Sequence, residues 1–141
     1  MTAIATARDK INHFEALNLE RPQIDLQTTH HLVNGIYART IFVPKGAALT
    51  GAANKHEHLN IYDGDITVWT EAGEQRITGR GLLVGHPGSK RAGFAHADTW
   101  WTTIHATSET DIQKIEDEMT DEAEQLQTRQ ALGFEQTTLE A

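Results

Sequence analysis

The chain is predicted to fold as an all-β domain, an antiparallel sandwich or barrel of roughly eight to ten strands with a helix at each end. Three features carry that prediction. Turn signals built from Gly, Pro, Asn and Asp recur through residues 24–106. Between them apolar residues alternate with polar ones, the spacing of a half-buried strand. Outside that span the apolar spacing lengthens to three and four, which is helical. The expected organisation is therefore a helical segment 1–23, a barrel 24–107, an acidic helix 108–127 and a polar, mobile tail 128–141.

Composition narrows the function classes. A chain of 141 residues with 38% apolar side chains is long enough for one domain with a real core. Its 20 acidic and 12 basic residues, a formal charge of -8, argue against a nucleic-acid or anionic-membrane partner, either of which would need a basic face. The absence of cysteine excludes disulfides, thiolate metal sites and a cysteine nucleophile. No apolar run approaches the roughly 18 residues of a membrane span and no signal-peptide core is present, so a cytoplasmic protein is expected. Phosphate loops, Ser-His-Asp arrangements, zinc-finger spacings and dinucleotide fingerprints are absent.

Each element follows from local pattern. Ile11, Phe14 and Leu17 make the packing side of a first helix with His13 facing out, and Arg21-Pro22 ends it. Ile24 and Leu26 begin the strand alternation. Asn34-Gly35 is a tight connection into Ile36–Val43, which places Tyr37, Arg39 and Ile41 on one face and Ile36, Ala38, Thr40 and Phe42 on the other. His56–Asp63 reads as a strand closed by a turn at Asp63-Gly64, and Ile66–Thr70 as the next strand. After the turn at 71–74 come Gln75–Thr78, the Gly79-Arg80-Gly81 break, Leu82–Gly85, a turn at His86-Pro87-Gly88, Ala92–Ala95, and the most apolar strand, Thr99–Ala106. Thr110 and Gln113 form a capping box for a last helix carrying Ile112, Ile115, Met119 and Leu126. Its apolar stripe is narrow, so it should cover a barrel edge or a neighbouring subunit with its carboxylates in solvent.

Histidine supply draws attention to the middle of the chain. His56 and His58, one residue apart on an extended segment, share a face and offer two imidazoles to one ion. His105 lies on the face of Trp101 and Thr103 and is expected to reach the same cavity from the opposite sheet, and His96 is a fourth candidate ligand. Imidazoles suit zinc, iron, nickel or copper, and the cofactor expected here, if any, is a divalent transition metal such as Zn, Fe, Ni or Mn. The competing reading makes His58 and His105 hydrogen-bonded pocket residues and leaves His56 exposed. Asn60 and Tyr62 share the parity of His58 and line the pocket only if that histidine faces inward. Arg39 is aimed at the cavity, either to grip a carboxylate or phosphate or to pair with an internal acid such as Asp98 or Glu57. Arg91 and Trp101 complete the ligand-binding candidates, although Lys90-Arg91 also fits a solvated turn, and His30, His31 and His86 are read as structural or surface residues.

The His-x-His strand, the Gly-x5-Pro segment from Gly81 to Pro87 and the later strand bearing His105 together resemble the cupins, the RmlC-like jelly rolls, over about residues 24–107. That resemblance implies a small antiparallel barrel, but cupins range from metal-dependent oxygenases and isomerases to plain binding modules. The cupin pattern is also incomplete. Counting forward from His58 puts Tyr62 or Asp63 in the expected Glu slot, while counting back from Gly64 puts Glu57 there. Ser89 replaces a glycine, Ala92 falls where a metal histidine is expected, and His96 where asparagine is usual. The runs at 58–61, 87–91 and 98–105 further resemble short stand-alone cupin-like proteins of bacteriophage genomes.

Three functions are consistent with these residues. One is a metal-dependent small-molecule enzyme in which His56, His58 and His105 hold the ion, Arg39 orients an anionic substrate and Tyr37 or Tyr62 handles a proton. Another is a metal-free module that binds or sequesters a small ligand in the same cavity. The third is an assembly protein docking through its acidic helix. In each case a homodimer is expected, because sheet edges and a Trp-rich face need cover.

Overall fold

The computed structural model describes residues 6–126 and 137–140. In chain order these form α1 (Ala7–Leu19), β1 (Thr29–Val33), β2 (Ile36–Val43), β3 (Ala48–Thr50), β4 (His58–Thr70), β5 (Gly73–Gly85), β6 (Ala92–Ala95), β7 (Thr99–Ala106), α2 (Ile112–Met119), a 3-10 turn (Ala123–Gln125) and β8 (Thr137–Glu140). The strands make one sheet in the order β3-β6-β4-β7-β2-β1-β8, with β5 paired to β4 alone. All pairings are antiparallel except β1 with β8. The result is a single curled sheet, a half-barrel, with two helices. No helix among the described residues is long and apolar enough to cross a membrane.

Strand β4 organises the sheet. One edge is paired with β5 along its whole length, while the other pairs Leu59–Asp63 with β7 and Ile66–Trp69 with β6. Between those two partners lies Gly64, with φ at 154°. A β-carbon there would sit 2.7 Å from the Asp98 carbonyl oxygen, so only glycine lets β7 start this close. Asp63-Gly64 is therefore a bend inside a continuous strand and not the turn expected from its sequence. Gly79-Arg80-Gly81 likewise lies within β5. The Ile24–Leu26 segment forms no strand; Leu26 instead packs against the cluster of Val43, Ala47 and Ala95 while its carbonyl accepts from Phe42 N–H at 2.7 Å. Asn34 and Gly35, at φ 39° and 85°, make the tight β1–β2 hairpin.

Both helices are locally encoded. Thr6 and Asp9 form a reciprocal capping box for α1, and Ile11 is its buried anchor. At α2 the cap is Asp111, whose carboxylate accepts from the N–H groups of Gln113 and Lys114, and not the expected Thr110. Ile115 and Met119 bury the helix against Tyr37. Of the tail expected over 128–141, most lies outside the described residues, and Thr137–Glu140 runs parallel beside β1.

Candidate functional site

Strand register builds the interior in rows, because directly paired residues present their side chains on one face. The first row runs Gly85, His58, His105, Tyr37, Leu32; the second Leu83, Asn60, Thr103, Arg39, His30; the third Gly81, Tyr62, Trp101, Ile41. Leu59 and Ile61 point the other way, into solvent. The parity of β4 thus puts His58, Asn60 and Tyr62 inside. His105 arrives from β7, the neighbouring strand, not from an opposite sheet.

A cavity of about 140 Å³ opens among these rows. Ile41, Val43, Leu49, Ile66 and Val68 supply apolar wall, and Arg39, Asn54, Asn60, Ser89, Arg91, Trp101 and Thr103 supply the polar groups, with Met119 of α2 at its rim. Asn60 Oδ1 accepts from Trp101 Nε1 at 3.0 Å and from Thr103 Oγ1 at 3.2 Å. Its Nδ2, by contrast, is buried without a partner among the described residues, as is the Ser89 hydroxyl. Unpaired buried donors of this kind are costly unless something completes them.

The cations of the cavity differ in kind. Arg39 Nη1 donates to Glu116 Oε2 of α2 at 2.9 Å, so its charge is answered inside the fold, by a different acid from those the sequence suggested. Glu116 is accordingly buried, an exception to the solvated carboxylates expected on this helix. Arg91 has no carboxylate partner among the described residues. Its guanidinium lies 6.0 Å from the centre of the Trp101 ring, close enough for a cation–π contact. Burial lowers its pKa and Glu71 opposes the change. Lys90 is fully buried between Glu15 at 2.9 Å and Glu122 at 2.8 Å, so the Lys90-Arg91 pair is no solvated turn.

His58 and His105 stack, ring centroids 5.1 Å apart. His58 Nδ1–H donates to the His56 carbonyl at 2.9 Å, which leaves Nε2 as the acceptor. Burial lowers the His58 pKa. Burial, then the charges of His58, His56 and Arg39, take His105 down to about 4, and its Nε2 is buried without a partner among the described residues. Both rings are therefore neutral at pH 7. His56 is exposed. His96 accepts or donates at Thr67 Oγ1, 2.7 Å away, and meets Phe94 edge-on, on the face opposite the cavity-lining Ile66 and Val68. Among the described residues no three His, Asp or Glu side chains group as a metal site. As placed among the described residues, these two imidazoles fall one short of the three protein ligands of a catalytic centre.

Of the other candidates, Tyr37 is fully buried with its hydroxyl 2.6 Å from His30 Nδ1, and desolvation raises its pKa. Tyr62 stacks on Trp101 at 6.0 Å. Neither tyrosine lines the cavity. Asp98 is exposed and caps the Lys45 N–H at 2.9 Å. Ser89, Asn54 and Glu116 were not legible as site residues in the sequence; only the position of Ser89 beside Lys90-Arg91 hinted at one of them.

No protein-family model matches the chain, and no curated protein matches it. Solved structures share part of its fold. A cupin-2 domain containing protein from Shewanella frigidimarina is 10% identical over 67% of this chain and 90% of its own, with a TM-score of 0.48. KdgF from Halomonas sp. is 15% identical over 55% and 75%, at 0.45, and a cupin protein from Bacteroides fragilis 16% identical over 55% and 70%, at 0.44. These likenesses are of strand arrangement.

Proposed function

We propose that this chain is a small-ligand-binding domain whose cavity takes a compact organic anion, a carboxylate carried on an apolar body. The observation behind this reading is Arg91, a cavity-lining guanidinium with no acid of its own among the described residues. Asn60 Nδ2 and the Ser89 hydroxyl, unpaired among the described residues, add two groups able to donate in the same cavity. A guanidinium, an amide N–H and a hydroxyl together favour an acceptor-only ligand. The cavity, at about 140 Å³, matches the roughly 150 Å³ that holds a benzene-sized guest, so the ligand is a small one. Calorimetric titration of small aliphatic and aromatic carboxylates against their primary amides tests the proposal. Carboxylates should bind and amides should not, and Arg91→Met should weaken binding at least about tenfold, the ~1.4 kcal/mol worth of one charged contact. Equal affinity for amides, or an unaffected variant, sinks it.

One observation favours a second reading, in which the site holds a metal: among the described residues His105 Nε2 is buried and unpaired beside His58. His56, whose charge is felt at His105, would have to move in as third ligand. Elemental analysis of untagged protein separates the readings, since a stoichiometric transition metal that disappears in His58→Ala supports this one.

A further inference from the structure

A second cavity, of about 310 Å³, lies where α1 and the irregular segment 20–28 cross the barrel. Two contacts hold α1 over β3: Asn18 Nδ2 donates to the Ala48 carbonyl at 3.2 Å, and Thr50 Oγ1 donates to Glu15 Oε2 at 2.8 Å. Leu26 anchors the far end of the segment by packing on Val43, Ala47 and Ala95. The cavity is the space left between these anchors. It has six lining residues in common with the first cavity: Arg39, Ile41, Leu49, Gly51, Ala52 and Leu126. Five of the six carry no polar side-chain group, and Arg39 is bound to Glu116 at 2.9 Å. A molecule that spans both spaces must therefore be apolar where it crosses, since a polar group would lose its water there without compensation. Beyond the crossing the wall stays apolar along Leu26, Leu19 and Ile24, the last two half-exposed at the outer end.

We propose that the two cavities form one site and that its ligand is a straight-chain carboxylic acid. The head lies beside Arg91, and the alkyl chain runs past Ile41 and Leu49 into the second cavity. The inference rests on the carboxylate reading above and goes beyond it, because a compact acid needs only the first cavity. Volume bounds the chain. A space of roughly 150 Å³ holds a six-carbon ring, so the second cavity has room for at most about a dozen further carbons. An acid of about eight to twelve carbons fits the pair of spaces. Each CH₂ beyond the crossing is taken out of water between apolar walls, so the chain itself adds affinity.

Calorimetric titration with butanoate, hexanoate, octanoate and decanoate, each below its micelle concentration, reads the chain directly. Affinity should rise roughly fourfold for each added CH₂ through decanoate. A rise that stops or reverses at hexanoate overturns the proposal while the carboxylate reading stands. Decanamide binding as tightly as decanoate, or no binding by any of the four acids, sinks that reading and this inference with it. Ala48 lines the second cavity and not the first. Ala48→Phe should therefore lower the ratio of decanoate to butanoate affinity at least about tenfold, and an unchanged ratio overturns the proposal. Should that variant misfold, NMR contacts of the decanoate methyl group in the wild type decide. Contact with Ala48 supports the proposal, and contact with Val68 of the first cavity alone, or with neither, overturns it.

Discussion

His58 and His105 face each other as a direct cross-strand pair, their rings 5.1 Å apart and 25° from parallel, because Leu59 of β4 is registered on Ile104 of β7. The stack is one of several buried polar groups of the interior, beside Asn60, His30 and Glu116. It also ties the stability of the fold to pH.

An unfolded histidine takes up its proton near pH 6.5, whereas His105 in the fold holds off until about 4. Between those values the unfolded chain binds the extra proton, so stability rises with pH across that window and levels off above it. The gap is worth about 3 kcal/mol, lost progressively as pH falls from 6.5 toward 4. The depressed His58 adds to the loss in the same direction. Urea denaturation at pH 5 and pH 7.5 should show the difference, and His105→Phe should shrink it. A His105 ring that titrates above pH 6 by NMR removes the basis of this expectation.

Gly85 and Gly81 lie beneath aromatic rings. A β-carbon at 85 would stand 2.1 Å from His58 Nε2, and one at 81 would stand 2.3 Å from the Tyr62 hydroxyl. Gly85→Ala should therefore displace the imidazole and cost about 1–3 kcal/mol, the usual toll of overpacking. His58→Ala removes the ring, so the double variant should recover most of that loss. Additive costs in a denaturation cycle would mean that the ring does not rest on the glycine.

The Arg39–Glu116 pair is buried on both sides, with 11% and 1% of the side chains exposed. Glu116→Gln strands a guanidinium in the interior and should cost about 3–5 kcal/mol, whereas Arg39→Met with Glu116→Met should cost far less. Equal losses in the single and double variants would show that the pair is not coupled.

Much of the barrel interior was legible because strand parity is a local property. Tyr37, Arg39 and Ile41 share a face whatever their partners, and so do His58, Asn60 and Tyr62. What stayed hidden depends on non-local contact. Arg39 finds Glu116 77 positions away, through a helix whose docking no strand pattern announces. Asp63-Gly64 carries the same local signal for a hairpin turn as for a bend that admits β7. His96 lies near the histidines in sequence order, but the β4–β6 pairing turns it to the other face with Thr67. Lys90 and Arg91 look alike as neighbours; successive positions on an extended chain send one toward α1 and the other over Trp101.

Lys90 holds three separate segments together. Its ammonium meets Glu15 of α1 and Glu122 before the 3-10 turn; Glu122 also accepts from Ala53 N–H at 2.7 Å, and Glu15 from Thr50 Oγ1 at 2.8 Å. Lys90→Met leaves two carboxylates crowded together with no cation between them, an uncompensated buried charge worth about 3–5 kcal/mol. The loss should be concentrated where the clasp acts, so amide exchange in α1 should accelerate before that in β4 and β7. Adding Glu15→Gln and Glu122→Gln to Lys90→Met removes the repulsion and should restore most of the stability. If the triple variant is no more stable than Lys90→Met alone, the carboxylates are not what the lysine restrains.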